Sequence, residues 1–387
     1  MRMRPLRIAL VHSFYSTSAP GGENEAPLDH AQALHRAGHE VRMIAAHTDE
    51  LRTRPLHAFR CAVTVAGGRG RSPLPELRAF SPDIVHVHNL FPNFGRDWLT
   101  GWRGPLVTTL HNFRPICAAA TLYRDGAICT RCVDGDRWAG LRAGCYRGSR
   151  LATLPLAWAG RGGAAADPLL RRADRIVVLS ELGRTTYARA GVDERRMALI
   201  PNFVPSVDGP AVEAGERWVY AGKLTAEKGI LDLLRRWPAD VPLDVIGNGP
   251  LEEDCRAAAP RSVRFHGVLG RTELRHRLPG YRGLVFPSRW YEGMPLVYIE
   301  ALAAGLPVLA FEGSATHAAV RAEGTGAVTG WEEPLDRVLR EVGSRFPDLR
   351  AHCRRVYEEA YSEEVWAERM VRLYGELLGT AMPLESV

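Results

Sequence analysis

Twice along this chain, short runs of aliphatic and β-branched residues alternate with stretches of helical period, and no other feature restricts the fold as tightly. In the first half the runs are LRIALVH, HEVRMIAA, DIVHVHN, PLVTTLHN and RADRIVVLS; in the second they are RWVYAGK, PLDVIGNG, VRFHGV, GLVFPS and LPVLAFEG. The segments between them carry helical spacing, as in APLDHAQALHRAG, which closes on Gly38 at a C-cap position. Strands alternating with helices predict an α/β protein with doubly wound parallel sheets. At 387 residues the chain is too long for one ordinary core, so two domains are expected. The Pro- and Gly-rich segment 201–215, PNFVPSVDGPAVEAG, reads as their linker. This gives a first Rossmann-like domain at 1–203, a second at 204–362 and a closing segment at 363–387. The closing segment has a helical stripe at Trp366, Met370, Leu373, Tyr374 and Leu377, the pattern of a packing helix. Open α/β sheets bind ligands outside the carboxyl ends of their strands, so two such domains facing across a cleft are expected to hold their ligands there.

Hydrophobic content of 46% and charged content of 24% suit a folded globular protein. No run of about eighteen apolar residues is present, so no membrane span is expected. The opening MRMRPLRIALVHSFY lacks a small-residue cleavage site and reads as a first buried strand, which points to a cytoplasmic protein. Net charge is +6, which admits phosphorylated ligands, but the arginines are scattered without an aromatic-basic stripe, so nucleic acid is not an expected partner.

Of fifty basic residues only two are lysines, Lys223 and Lys228, and both lie in YAGKLTAEKG. Elsewhere the chain uses Arg for positive charge, so two compact ammonium groups in one segment point to an anion such as phosphate. The strongest local signal is LVFPSRWYEGMPLVYIEALAAGLPVLAFEG at 284–312. A strand leads to a loop carrying Glu292, Pro295 stands where a helix begins, and Glu300 follows inside that helix before Gly305 ends it. The N–H groups of Met294, Leu296 and Val297 would then be open to an anion at the helix start. Glu292 and Glu300 are acceptor-only groups suited to sugar or ribose hydroxyls.

EGMPLVYIEALAAGLPV resembles the E-x7-E element of retaining glycosyltransferase family four, whose members have the two-domain GT-B fold. AGKLTAEKG and VIGNGPLEED resemble that family's Lys- and Gly-bearing elements, and VRFHG, IPNFV and GGENE match it in position and order. The resemblance implies that Lys223 and Lys228 hold the donor diphosphate, Glu300 the nucleotide ribose and Glu292 the transferred sugar. It places Gly222, Gly247, Gly249 and the peptides of Met294, Pro295 and Leu296 around the donor, with Gly21 and Gly22 approaching the same phosphates. His111, ending VTTLHN, matches the family's histidine at the reacting centre, and the last helix would return to the N-terminal domain. The implied reaction moves a hexose or N-acetylhexosamine, from UDP-glucose or UDP-N-acetylglucosamine, to an acceptor hydroxyl with retention and without a catalytic metal. A nucleotide-sugar epimerase or a binding module on the same fold is the alternative. A nicotinamide-dependent dehydrogenase is not, because SFYSTSAPGGENE lacks G-x-G-x-x-G.

Three further groups bear on the site. His88 and Asn89, at the end of DIVHVHN, are expected to line the cleft on the acceptor side. Glu23, Glu25 and Asp29 in GGENEAPLD form an acidic patch suited to an amine-bearing small acceptor, and likeness to aminoglycoside-pathway enzymes suggests an aminocyclitol such as 2-deoxystreptamine. A lipid or cell-envelope polysaccharide acceptor is the rival; for lipid, Arg142, Arg147, Arg150 and Arg161 flank LATLPLAWAG and suit at most a peripheral membrane contact. Cys117, Cys129, Cys132 and Cys145 fall as C-x11-C-x2-C-x12-C in a Cys-rich insertion at 114–150. In a cytosolic chain that spacing reads as a structural zinc site more readily than as disulfides.

Overall fold

The computed structural model describes residues 4–15, 22–53, 56–206 and 215–379. Gly21 and most of the linker segment, 207–214, lie outside the described residues. The chain folds into two compact units, one holding residues up to 122, 129–202 and from 366, the other 123–128 and 203–365.

In the first unit the strands are β1 (Arg7–Phe14), β2 (Glu40–His47), β3 (Ile84–Asn89) and β4 (Leu106–Leu110). After the two-residue arms of a hairpin, β5 (Tyr123–Arg124) and β6 (Ala127–Ile128), which groups with the second unit, come β7 (Arg175–Val178) and β8 (Met197–Leu199). The first sheet is six-stranded and parallel, in the order β2-β1-β3-β4-β7-β8. The order reverses between β1 and β3, which is where such a sheet opens a crevice at its carboxyl ends. Covered on both faces, the central strands are buried almost throughout, as their apolar runs require. Polar residues interrupt this burial in one region: His12 and Ser13 late in β1, His86 and His88 in β3, Thr108 and Thr109 in β4. Buried polar side chains are uncommon and need partners, so their clustering marks a site rather than a packing choice.

In the second unit β9 (Trp218–Ala221), β10 (Leu243–Ile246), β11 (Val263–Gly267), β12 (Leu284–Phe286), β13 (Val308–Phe311) and β14 (Gly326–Thr329) form a parallel sheet in the order β11-β10-β9-β12-β13-β14. Its reversal lies between β9 and β12. Successive residues of β9 serve opposite faces: Val219 and Ala221 pack with the helix Leu296–Ala303, Trp218 and Tyr220 with the helices Ile230–Arg236 and Leu335–Val356. The last helix, Glu363–Leu377, buries Trp366, Met370, Leu373 and Tyr374. Trp366 stacks on His30 at 4.1 Å and the Tyr374 hydroxyl meets His86 Nδ1 at 2.7 Å, both contacts within the first unit.

Candidate active site

Lys223, Lys228 and Glu292 lie at the β9/β12 reversal of the second sheet, on the two loops that leave those strands. Lys223 follows β9 and is exposed, its carbonyl held at 2.7 Å by the Tyr220 hydroxyl. Two glycines of the neighbouring turn let that loop lie close. A Cβ on Gly247 (φ +132) would come within 1.9 Å of the Gly222 carbonyl oxygen, and one on Gly249 within 2.4 Å of that of Leu224. Gly222, Gly247 and Gly249 therefore pack one strand-end loop onto another, whatever else they approach. Gly229 (φ +68) does the same for the turn Ala226–Lys228: its Cβ would meet the Pro287 carbonyl oxygen at 2.0 Å. That close approach delivers Lys228 to the loop after β12.

Lys228 Nζ stands 2.7 Å from Glu292 Oε2. The other carboxylate oxygen accepts from Ser288 Oγ at 2.6 Å and Trp290 Nε1 at 3.0 Å. Glu292 is 7% exposed, and the rings of Trp290 and Phe286 lie 5.5 and 5.9 Å from the ammonium. Lysine carries three donors, so two remain for a ligand. A carboxylate has about four lone-pair sites, so about one remains on Glu292 for a hydroxyl. The sequence suggests a lysine aimed at phosphate and a glutamate aimed at sugar; the structure adds that the two groups hold each other.

Glu300 is engaged too. It does not stand as a bare carboxylate, because Arg275 Nε lies 3.4 Å and Arg271 Nε 3.7 Å from its Oε1. Both arginines come from the helix Arg271–Arg277, spaced four apart and so on one face. Sequence reasoning missed them, although the RTELR spacing carried the signal. Pro295 is the N-cap of Leu296–Ala303 rather than its first residue. The N–H groups of Leu296 and Val297, in the first turn, have no intrahelical acceptor. The side chains of Met294 and Leu296 pack against the core, so only their backbone faces outward chemistry.

In the first unit the buried polar cluster at the β1/β3 reversal consists of stacked histidines. His86 rests on His88 with ring centroids 4.4 Å apart, and His88 Nδ1 meets His111 Nε2 at 2.9 Å. His86 Nε2 meets the Thr109 hydroxyl at 2.7 Å, and His12 Nε2 meets Asn24 Oδ1 at 3.3 Å. Burial holds these rings neutral, lowering His12 to about 4 and His86 and His111 to about 3, with His30 and His88 well below their ordinary value. His88 Nε2 is buried without a partner. An orphan acceptor is cheaper than an orphan N–H, so His88 carries its proton on Nδ1 and donates to His111 Nε2. His111 then bears its own proton on Nδ1. His88 is thus a support for His111 as well as a wall residue.

Asn89 is more committed than the sequence suggests. Its amide donates to the carbonyls of Ser13 and Phe91 and accepts from the Phe91 N–H, so it holds its own loop. Gly22 opens the helix Gly22–Arg36; Glu23, Glu25 and Asp29 are half-buried on it, and each is engaged by a neighbour. A cavity of about 130 Å³ joins His88 and His111 to Glu23 and Asn89, with Leu90, Phe94 and Leu156 among its apolar walls.

Cys117, Cys129, Cys132 and Cys145 are free thiols, half-buried. Burial raises the Cys132 thiol to about 11, and the other three add to that rise. Among the described residues no group of three or more His, Cys, Asp or Glu is arranged to hold a metal ion. A structural zinc at these four thiols stays a proposal, tested by metal analysis of the purified protein.

Comparison with known proteins bears on the family and the fold. Residues 20–206 match the family described as Glycosyltransferase Family 4, and residues 215–338 match Glycosyl transferases group 1. A GDP-mannose-dependent alpha-(1-6)-phosphatidylinositol monomannoside mannosyltransferase of Mycolicibacterium smegmatis is 28% identical over 225 residues, 50% of this chain and 58% of that protein. The chain thus spans less than two thirds of that relative's length. Sucrose-phosphate synthase from Thermosynechococcus elongatus superposes with a TM-score of 0.66 at 18% identity, over 97% of this chain and 100% of that one. AviGT4, a glycosyltransferase involved in avilamycin A biosynthesis, gives 0.60 at 16% identity, over 97% and 99%. Anabaena HepE in complex with UDP-glucose gives 0.57 at 14% identity, over 97% and 100%. A stretch matching Glycosyltransferase Family 4 followed by one matching Glycosyl transferases group 1, on two Rossmann-like parallel sheets, gives this chain the GT-B fold of glycosyltransferases.

Proposed function

We propose that the enzyme transfers a hexose or N-acetylhexosamine from a nucleotide sugar to an acceptor hydroxyl with retention of configuration. The observation that carries this reading is the Lys228–Glu292 pair at the β9/β12 reversal, beside a helix start. The anomeric C–O bond to the diphosphate breaks as negative charge builds on the leaving phosphate, and the acceptor oxygen bonds to the same face. The acceptor's proton passes to a leaving phosphate oxygen. Lys228, Lys223 and the Leu296 and Val297 amides stabilise the growing charge, an effect larger in the transition state than in the ground state. Glu300 with Arg271 and Arg275 holds the ribose end, and His111, by the family resemblance, is assigned to the reacting sugar. With ammonium groups neutralising the diphosphate, a metal has no necessary task, so turnover is expected to persist in excess EDTA. An activity abolished by EDTA and restored by a divalent ion would contradict this.

UDP-glucose and UDP-N-acetylglucosamine are the proposed donors; the name of the mannosyltransferase relative keeps GDP-mannose in the comparison. The test is a panel of UDP-, GDP- and dTDP-sugars with candidate acceptors, read as nucleotide release. Donor binding without release would favour a binding module, and interconversion of the donor sugar an epimerase. For the acceptor, Glu23, Glu25 and Asp29 support an aminocyclitol such as 2-deoxystreptamine. The apolar walls of the cavity that reaches His111 favour an amphiphilic acceptor as a second reading. Among the described residues no helix is long and apolar enough to cross a membrane. A cytoplasmic location is part of the proposal.

A further inference from the structure

Two helices of the first unit pack side by side, His57–Gly67 and Arg150–Ala159. On one face they wall the cavity that reaches His88 and His111, through Thr64 and Val65 from the first and Leu156, Ala159 and Gly160 from the second. Their outer faces carry matching apolar stripes. Leu56, Phe59 and Val63 recur at i, i+3 and i+7, and so do Leu151, Leu154 and Trp158. These six side chains are between 45% and 84% exposed. Val65 and Leu156 lie two positions beyond Val63 and Leu154, about 200° around a helix, which separates the cavity face from the stripe. Single exposed hydrophobics need no explanation, but two aligned stripes on packed helices do.

Charge says what covers them. Residues 51–75 and 137–166 contain ten arginines and no aspartate or glutamate, although the whole chain is only +6. Three of the ten, Arg69, Arg71 and Arg142, pair with Asp97, Glu76 and Asp136 outside those stretches, so the charge that matters is that of the arginines bordering the two helices. Arg52, Arg60, Arg147, Arg150 and Arg161 are all exposed. Arg147 lies close enough to the first helix to lower the Cys61 thiol against its burial, and the Arg161 guanidinium sits 4.3 Å over the Trp158 ring. Apolar stripes with a basic border and an exposed tryptophan match an anionic lipid surface, where aliphatic side chains enter the acyl boundary and arginines meet phosphates. An acidic protein would satisfy the arginines but leave the stripes without a reason.

We infer that the outer face of His57–Gly67 and Arg150–Ala159 seats this unit on an anionic bilayer surface. This goes beyond the transfer reaction and does not depend on it, because binding to lipid is measured without donor or acceptor. The test is co-sedimentation of the full chain with phosphatidylcholine vesicles, with and without phosphatidylglycerol. Binding is expected to the anionic vesicles, to weaken tenfold or more in high salt, and to be slight on pure phosphatidylcholine. The variant Phe59→Ser/Leu151→Ser/Trp158→Ser should lose at least tenfold in vesicle binding with its melting temperature kept. Arg147→Glu/Arg150→Glu should do the same by charge alone. Equal binding of wild type and both variants would overturn the inference, as would no binding to anionic vesicles. So would a dimer of the wild type that the serine variant disrupts, since a second copy would then own the face. Nucleotide release measured in parallel separates this outcome from failure of the glycosyl-transfer reading.

Discussion

Lys228→Ala is expected to lower nucleotide release at saturating donor by a hundredfold or more. Removing one preorganised donor to a developing oxyanion costs about 10²–10³ in turnover, and the proposed reaction gives Lys228 that role. Stability complicates the measurement. The side chains of Lys228 and Glu292 are 20% and 8% exposed, and their oxygen–nitrogen distance is 2.7 Å. Breaking a buried pair from one side leaves the other charge uncompensated, at about 3–5 kcal/mol for full burial; partial solvent access makes it less here. Lys228→Ala should therefore also melt earlier, and lost activity alone would not prove a catalytic role. Lys228→Ala/Glu292→Gln, read against Glu292→Gln alone, separates the two. It removes the stranded carboxylate and keeps an acceptor for Ser288 and Trp290, so thermal stability should return while turnover does not. Recovery of both in the double variant would make the lysine structural. Turnover of Lys228→Ala within fivefold of wild type would remove it from the reaction.

The same pair shows where the sequence was legible. YAGKLTAEKG and EGMPLVYIE marked both residues because composition made the lysines rare and local spacing framed the glutamates. That Lys228 and Glu292 meet depends on Gly229 pressing against Pro287, a contact across 58 residues that no local pattern records. The strands followed the same rule. Ten apolar runs gave ten strands, but β8 and β14 escaped. The three-residue MAL of β8 is too short to show a pattern, and β14 opens on Gly326, where a Cβ would come within 1.9 Å of the Val308 carbonyl oxygen. The hairpin Tyr123–Ile128 hid inside a Gly- and Arg-rich stretch. His86 and His88 were visible as alternating residues in one strand, but His30 on Trp366 and His86 on Tyr374 join positions some three hundred residues apart. A site assembled at sheet ends from many loops is legible as a set of candidates; which candidates hold each other is set by packing.

Acid should unfold the first unit well before its carboxylates protonate. His12, His30, His86, His88 and His111 all have folded pKa values below the ordinary 6.5. Burial is the main cause in each; the further influences are the other histidines, His47 and the neutral amides of Asn24 and Asn202. A lowered histidine is neutral in the fold and charged in the unfolded chain below pH 6.5. Its contribution is complete above that pH and is lost as pH falls toward the folded values, about 3 to 4 where they are defined. The unfolded imidazole is half protonated at pH 6.5, so each such group costs about 1 kcal/mol between pH 6.5 and 5.5, and five acting together cost roughly 5 kcal/mol. A domain is stable by only about 5–15 kcal/mol, so one pH unit removes a large share. Calorimetry on the full chain should show the earliest transition falling by about ten degrees or more over that unit, using about 2–4 °C per kcal/mol for a domain of this size. His30→Phe keeps the ring stacked on Trp366 and removes one titrating group. Its transition should fall less steeply with acid, by about one proton in the slope. A wild-type transition that stays within two degrees from pH 7 to 5.5 would mean the rings are hydrated and the buried stack does not form as placed.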